Sequence, residues 1–442
     1  MLSGGGEHMS TITSIETISE KTNQLHNLND VQHLFDRILQ ADHLFINRDQ
    51  LRSAYIPEIL PHREKETTEL ADILSPVLNY ETPSNILLFG KPGVGKTAVT
   101  KLVGGELQKQ GKELGKHIHF IYVNCQLSNT LYKILQHISQ KLTSKQDDMI
   151  PSSGLPVDVL FTKIVSLIDK QKQMLIITLD EVDKIQDDIT LYTLTRINES
   201  LTKTRLSIIC ISNNLRFADS LDARVKSSLS QETMVFNPYD AQQLQDILRT
   251  RCQQALTPNI LTDDVIPLCA ALAAQEHGDA RRALDLLRVS IELAERKHDR
   301  NVTTKHVRLA QSKIEKDRIA EVIHSLPAQQ RLVLHAISIL QQHHERMKQS
   351  SAITTGEVFN QYTELSKTIK YTALTQRRVA DFISELDTLG IITAREISKG
   401  RRGRTREIEI SMSSKELEQI LQKDELSEEI KQQKMKMQMR LI

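Results

Sequence analysis

Gly90-Lys91-Pro92-Gly93-Val94-Gly95-Lys96-Thr97 decides how this chain is read. The stretch fits G-x-x-x-x-G-K-[ST], in which glycines let the backbone curl until successive N–H groups face a bound phosphate. Four apolar residues, Ile86-Leu87-Leu88-Phe89, stand directly before it, and a helical pattern follows. A strand, a glycine turn and a helix with its positive dipole end at the turn together make an anion cradle. Gly90 to Gly95 would supply the curl, and Ala98 would complete the first helical turn. Lys96 is then expected to reach the β- and γ-phosphates and Thr97 to ligate Mg²⁺. An ordinary glycine turn is the bland alternative; the strand before it and the helix after it count against that. Gly104-Gly105 inside the following helix should cost about 1 kcal/mol per glycine, and close packing is the one account available.

Outward from the turn, further apolar runs repeat. Ile118 to Val123, Leu175 to Leu179 and Ser207 to Ile211 are short, continuous and rich in branched residues, as buried parallel strands are. Alternation of such runs with amphipathic stretches predicts a doubly wound α/β domain. Met174 to Leu179 ends in Asp180-Glu181. Asp180 would hold Mg²⁺, usually through water, and Glu181 would orient and polarise an attacking water. Ser207 to Ile211 ends in Ser212-Asn213-Asn214, where an amide could position that water; an Asx-turn is the plainer reading on spacing alone. Arg224, in Leu221 to Ser228, could meet a phosphate or be a surface arginine without a role. Arg281, in Gly278 to Asp285, could lean onto a nucleotide or pair with a carboxylate.

The strand signal stops at Pro238. Residues 239–315 read as a helical lid, with Leu244, Ile247 and Leu248 on one face. Residues 46–238 form the nucleotide domain, 316–415 a third domain, 1–45 a polar leader and 416–442 a charged, Met-rich tail that is either a frayed helix or an interaction tail. Met1 to Met9, with Gly4-Gly5-Gly6, reads as a scar or an irregular start and is set aside.

Bulk numbers fit this division. With 442 residues, two or three domains are expected. The net charge of +1 argues neither for nor against a polyanionic partner, so local charge must carry that argument. No apolar run is long enough to span a bilayer and no secretory signal is visible, which points to a cytoplasmic protein without a membrane partner. Cys125, Cys210, Cys252 and Cys269 lie singly and read as reduced, small hydrophobes.

The third domain carries the local charge. Leu374 to Leu386 places Val379, Phe382, Ile383 and Leu386 on one helical face, with Thr375 as N-cap. Gln376, Arg377 and Arg378 then open the helix, where a recognition helix presents side chains to a major groove. Gly390 fits a helix stop. Ile391-Ile392 begins a strand, and Ile408 and Ile410 alternate with glutamates in a second. Between them lie Lys399, Gly400, Arg401, Arg402, Gly403 and Arg404; from Arg395 to Arg406 six residues are basic and one acidic. A hairpin so charged is expected to be a wing that enters a minor groove. A solvated loop or a patch for an acidic partner is the alternative.

The order of these motifs resembles the AAA+ initiator clade, closest to archaeal proteins related to the largest origin-recognition subunit and its cell-division-control paralogue. Tyr55-Ile56-Pro57-Glu58 and Leu60-Pro61-His62-Arg63-Glu64 are similar to that family's N-terminal linker. The resemblance covers about residues 45–415. It implies an α/β AAA+ core, a small α-helical lid and a C-terminal winged helix, binding ATP or ADP with Mg²⁺. It places Pro61, His62 and Arg63 near the adenine, Asn213 as first sensor, Arg281 as second, and Arg224 as a finger toward a neighbouring subunit. Asn214 competes for the first sensor and Arg282 for the second. A family insertion that touches DNA would fall within about Leu127 to Leu142, where Leu131, Ile134, Leu135 and Ile138 equally suit core packing. The implied function is origin binding with slow ATP hydrolysis as a switch, on nucleoid DNA, with the minichromosome maintenance helicase and other initiator subunits as partners. An ATP-regulated transcription regulator and a clamp-loader-like ATPase share the same modules.

Overall fold

The computed structural model describes residues 44–142, 154–170, 172–229, 231–347, 352–398, 404–422, 426 and 428–430. The leader before residue 44, the wing tip 399–403 and most of the tail lie outside the described residues. The chain forms two compact units, Met1–Ala310 and Gln311–Ile442.

The first unit is built on a five-stranded sheet of β1 (Ile86–Gly90), β2 (Ile118–Asn124), β3 (Met174–Asp180), β4 (Arg205–Ser212) and β5 (Glu232–Phe236), in the order β2-β3-β4-β1-β5. All pairs are parallel. Period-2 alternation sends side chains to two faces. Leu87, Phe89, Leu175, Ile177, Leu179, Ile208 and Cys210 face the helices Leu131–Leu142 and Val157–Ile168. Ile86, Leu88, Met174, Ile176, Ile209 and Ile211 face the helices Glu64–Leu74 and Lys96–Glu113. Both faces are covered, so β1 and β3 are buried along their whole length. β5 escapes the sequence reading because its apolar stretch is short and half exposed. Met234 and Phe236 are buried, but Glu232, Thr233 and Val235 are exposed, and its apolar run is only the three residues Met234 to Phe236.

The glycine pair has a packing reason at one position. A Cβ on Gly104 would lie 2.2 Å from the Phe120 ring, whereas one on Gly105 would meet nothing within 4 Å. Gly104 lets the helix settle onto β2. Ile134, Leu135 and Ile138 of the helix Leu131–Leu142 are fully buried beside Leu160 and Ile164, so its apolar face is core; Lys133, Gln140 and Lys141 are exposed.

The lid follows β5. Helix Ala241–Ala255 opens on a capping box between Asp240 and Gln243 and buries Leu244, Ile247 and Leu248. Val265–Gln275 and Ala280–Arg296 pack with it. Cys125, Cys210 and Cys269 are buried and Cys252 partly so, all with free thiols. Among the described residues no helix is long and apolar enough to cross a membrane.

The second unit has its own core. Helices Ala328–Arg346, Thr355–Thr368 and Gln376–Thr388 surround a three-stranded antiparallel sheet, β6 (Ile353–Thr354), β7 (Ile392–Ser398) and β8 (Arg404–Ile410), ordered β6-β8-β7. Thr375 caps its helix by accepting from Arg378 N, and Val379, Phe382, Ile383 and Leu386 are the residues that helix buries. Gly390 ends the helix connection at φ 72°. Leu417, Leu421, Leu426 and Ile430 join this core, so the packed domain runs past the boundary read at residue 415. The start of the charged tail is anchored by these two last apolar side chains.

Candidate nucleotide site and DNA-facing end

Parallel strands gather their carboxyl ends at one edge, where doubly wound sheets bind ligands. Register places Phe89 opposite Ser212, Asn124 opposite Asp180, and Asp180 opposite Ile211. The three side chains that matter most leave this edge together. Lys96, 5% exposed, donates to Gly90 O at 2.7 Å, Lys91 O at 2.9 Å and Asn213 Oδ1 at 2.9 Å. Burial pulls its ammonium down to about 8, with Asp180 opposing that and Arg281 adding to it. Thr97 Oγ1 donates to Asp180 Oδ2 at 2.8 Å. Tyr122 donates to the same oxygen at 2.7 Å, and the Glu181 N–H donates to Oδ1 at 3.0 Å.

Glu181 takes the left-handed conformation at φ 57° and ψ 45°, a strained choice for a side chain with a Cβ. It turns the chain sharply off β3 while keeping Glu181 on the cavity wall. Asn213 and Asn214 divide their tasks. Asn213 meets Lys96, while Asn214 Oδ1 accepts from Arg216 N at 3.0 Å and closes an Asx-turn. Arg281 and Arg282 divide likewise. Arg281 lines the cavity, while Arg282 pairs with Glu276 at 3.1 Å.

The cavity holds about 390 Å³ and runs from Gly93–Ala98 past Asp180 and Arg281 to Tyr55, Ile56, Pro57 and Pro61. The lid is seated on the glycine turn. Ala280 N donates to Gly93 O at 3.2 Å, and a methyl at Gly93 would land 1.7 Å from Asp279 Oδ1. Gly93, at φ 75°, is the residue that permits this approach.

Of the three linker residues, Pro61 lines the cavity. His62 turns to Asp246 at 3.1 Å. Arg63, 4% exposed, lies beneath the glycine turn: Nε donates to Val94 O at 2.9 Å, Nη2 to Asn237 O at 2.6 Å, and Nη1 pairs with Glu66 at 3.0 Å. Its guanidinium stacks 3.9 Å from the Tyr239 ring centre. Arg63 thereby ties linker, turn and lid entry together. Lys91 is exposed and stands 3.4 Å from His277. Arg224 is exposed, paired with Asp222 at 3.1 Å, and not among the cavity-lining residues. Sequence reasoning missed Tyr122, Lys101, Tyr239 and Arg251 on the walls. Each belongs to an ordinary strand, helix or linker pattern with no motif of its own.

At the other end, Gln376, Arg377 and Arg378 are exposed in the first turn of their helix. Arg378 lies over the Phe382 ring at 4.4 Å and within 3.6 Å of Glu385. Arg406 on β8 donates to Ala380 O at 3.4 Å and to Ser384, tying the hairpin to that helix. Lys399, Arg401 and Arg402 lie outside the described residues, and Arg404 opens β8.

Comparison with known proteins matches this arrangement domain by domain. Residues 79–217 match the AAA domain, residues 245–312 the Cdc6 AAA+ ATPase-type lid domain, and residues 321–420 the CDC6 C-terminal winged helix domain. The ORC1-type DNA replication protein 1 of Methanosarcina mazei is 46% identical over 393 residues, covering 88% of this chain and 93% of that protein. The ORC1-type DNA replication protein of Pyrococcus furiosus is 46% identical over 397 residues, covering 89% and 93%. The solved structure of the Aeropyrum pernix ORC1 protein in complex with DNA superposes with a TM-score of 0.73 at 41% identity, covering 87% of this chain and 98% of that one. By identity, coverage and all three domain matches, the chain belongs to the family of ORC1-type, Cdc6-related DNA replication proteins.

Proposed function

We propose that this protein is a replication initiator that binds origin duplex DNA under the control of ATP. The observation that carries the nucleotide half is the meeting of Lys96, Asn213, Thr97 and Asp180 at one sheet edge, under a lid that presents Arg281. Lys96 would trade its carbonyl partners for phosphate oxygens, and the N–H groups of Gly93 to Thr97 would cradle them. Oxygen donors suit a hard cation, so Thr97 and Asp180 would hold Mg²⁺, which supplies charge neutralisation on the phosphates. Glu181 would orient water, Asn213 would sense the terminal phosphate and Arg281 would report it to the lid. Arg224, free of the cavity, is available to a neighbouring initiator subunit. Turnover is slow and acts as a switch.

The DNA half rests on the exposed first turn Gln376–Arg378 and on the basic hairpin from Arg395 to Arg406. The solved relative bound to DNA supports the same use here. Family membership supports recruitment of the minichromosome maintenance helicase and residence on the nucleoid. Duplex affinity across a salt series tests the assignment. Each lost phosphate contact removes about 0.9 from the slope of log K against log salt, so Arg402→Ala/Arg404→Ala should flatten the slope by about 2. A slope near zero in both proteins rejects duplex binding by this route.

A further inference from the structure

The carboxylate of Asp180 is held by three donors, and one of them belongs to no phosphate-binding motif. Thr97 Oγ1 and Tyr122 OH both donate to Oδ2, at 2.8 and 2.7 Å, and Glu181 N donates to Oδ1 at 3.0 Å. A carboxylate offers about four acceptor positions, roughly two on each oxygen. Oδ2 is therefore full, and Oδ1 keeps one position. Asp180 is 7% exposed, so bulk water does not compete freely for that remaining position.

Strand register delivers Tyr122 to this place. Asn124 is the direct partner of Asp180 and Tyr122 that of Thr178. Tyr122 is thus the diagonal neighbour of Asp180 on the same sheet face, a distance an aromatic side chain spans. Lys101 Nζ sits 3.8 Å over the Tyr122 ring. Lys101 lies one helical turn beyond Thr97 and lines the same cavity.

We propose that Tyr122 is a positioning residue for the cation-binding arm of the nucleotide site. Its hydroxyl fills the second acceptor position of Oδ2. The Thr97 proton stays directed at Asp180, the Thr97 lone pairs stay outward, and Oδ1 is left as the oxygen that serves the cation. This rests on reading Thr97 and Asp180 as the Mg²⁺ residues. Without the phenol, Oδ2 has an unfilled position and the carboxylate is held by Thr97 and Glu181 N alone, one donor on each oxygen.

The test is binding of a fluorescent ADP analogue to the full chain while Mg²⁺ is titrated, repeated in EDTA, for wild type, Tyr122→Phe and Asp180→Ala. Loss of a group that orients a metal ligand costs about tenfold or more in metal affinity. Tyr122→Phe should therefore raise the Mg²⁺ midpoint about tenfold and leave affinity in EDTA at the wild-type value. An unchanged midpoint overturns the proposal, as does an equal loss with and without Mg²⁺, which would assign Tyr122 to cavity packing. If Asp180→Ala keeps the wild-type midpoint, the underlying metal reading fails instead, whatever Tyr122→Phe does.

Discussion

Lys96 pays for its position before any ligand arrives. Its ammonium is almost fully out of solvent and has three neutral acceptors, and burial lowers it from 10.5 to about 8. The folded value lies below the unfolded one. Folding therefore releases a proton between the two, and the stability cost of this charge eases as pH rises from about 8 toward 10.5. Nucleotide binding has the opposite sign, because polyphosphate favours the charged amine. Affinity for ADP should fall as pH climbs through about 8, and this fall should vanish in Lys96→Ala, which binds weakly throughout. Titration from neutrality to about pH 9.5 reads it; a flat profile in wild type would remove Lys96 from the phosphates. At this scale the sequence is readable up to the choice between adjacent residues. Spacing could not separate Asn213 from Asn214 or Arg281 from Arg282. The structure gives the members of each couple different partners: Asn214 closes an Asx-turn to Arg216 and Arg282 pairs with Glu276.

Among the elements, legibility follows the apolar run. β1, β3 and β4 announce themselves as apolar runs because helices cover the sheet on each side, and the edge strand β2, only partly buried, is legible because Phe120 to Val123 are all apolar or aromatic. β5 is five residues long, opens on the exposed Glu232 and Thr233, and has only three apolar residues to read. The winged-helix core helix was readable because its four buried residues fall at helical spacing behind a threonine cap. The glycine pair Gly104-Gly105 is visible in sequence, but its cause is not, since Phe120 arrives from another strand. That difference makes a paired prediction. Gly105→Ala points into open space and should gain about 1 kcal/mol from helix propensity. Gly104→Ala gains the same propensity but drives a methyl into the Phe120 ring, and overpacking costs about 1–3 kcal/mol. Urea midpoints should therefore move in opposite directions, or Gly104→Ala should at best stand still. Equal stabilisation of both would mean that Phe120 yields freely and that Gly104 has no packing role.

For the whole molecule, the decisive fact is that each compact unit closes its own hydrophobic core. Sheet and helices of the first unit bury one set of side chains, and Ile323 to Ile430 bury another. Domain organisation was legible because the periodicity changes from strand–helix alternation to helices and then to a hairpin. The wing's contribution was legible only as charge, since residues 399–403 lie outside the described part of the chain. Separate cores predict separate unfolding. A ligand that binds the native nucleotide domain stabilises it by RT ln(1 + [L]/Kd), about 2.7 kcal/mol at a hundredfold excess over Kd. Calorimetry of the full chain should then show two transitions, and saturating Mg²⁺ with ADP should raise the one belonging to residues 44–310 while the other keeps its temperature. Lys96→Ala should abolish that upward shift. A duplex oligonucleotide should act in the complementary sense and raise the transition of the unit that carries Gln376 to Arg378. A single transition that moves as one body with either ligand would show that the two cores melt as one cooperative structure, and that nucleotide and DNA draw on the same folding free energy.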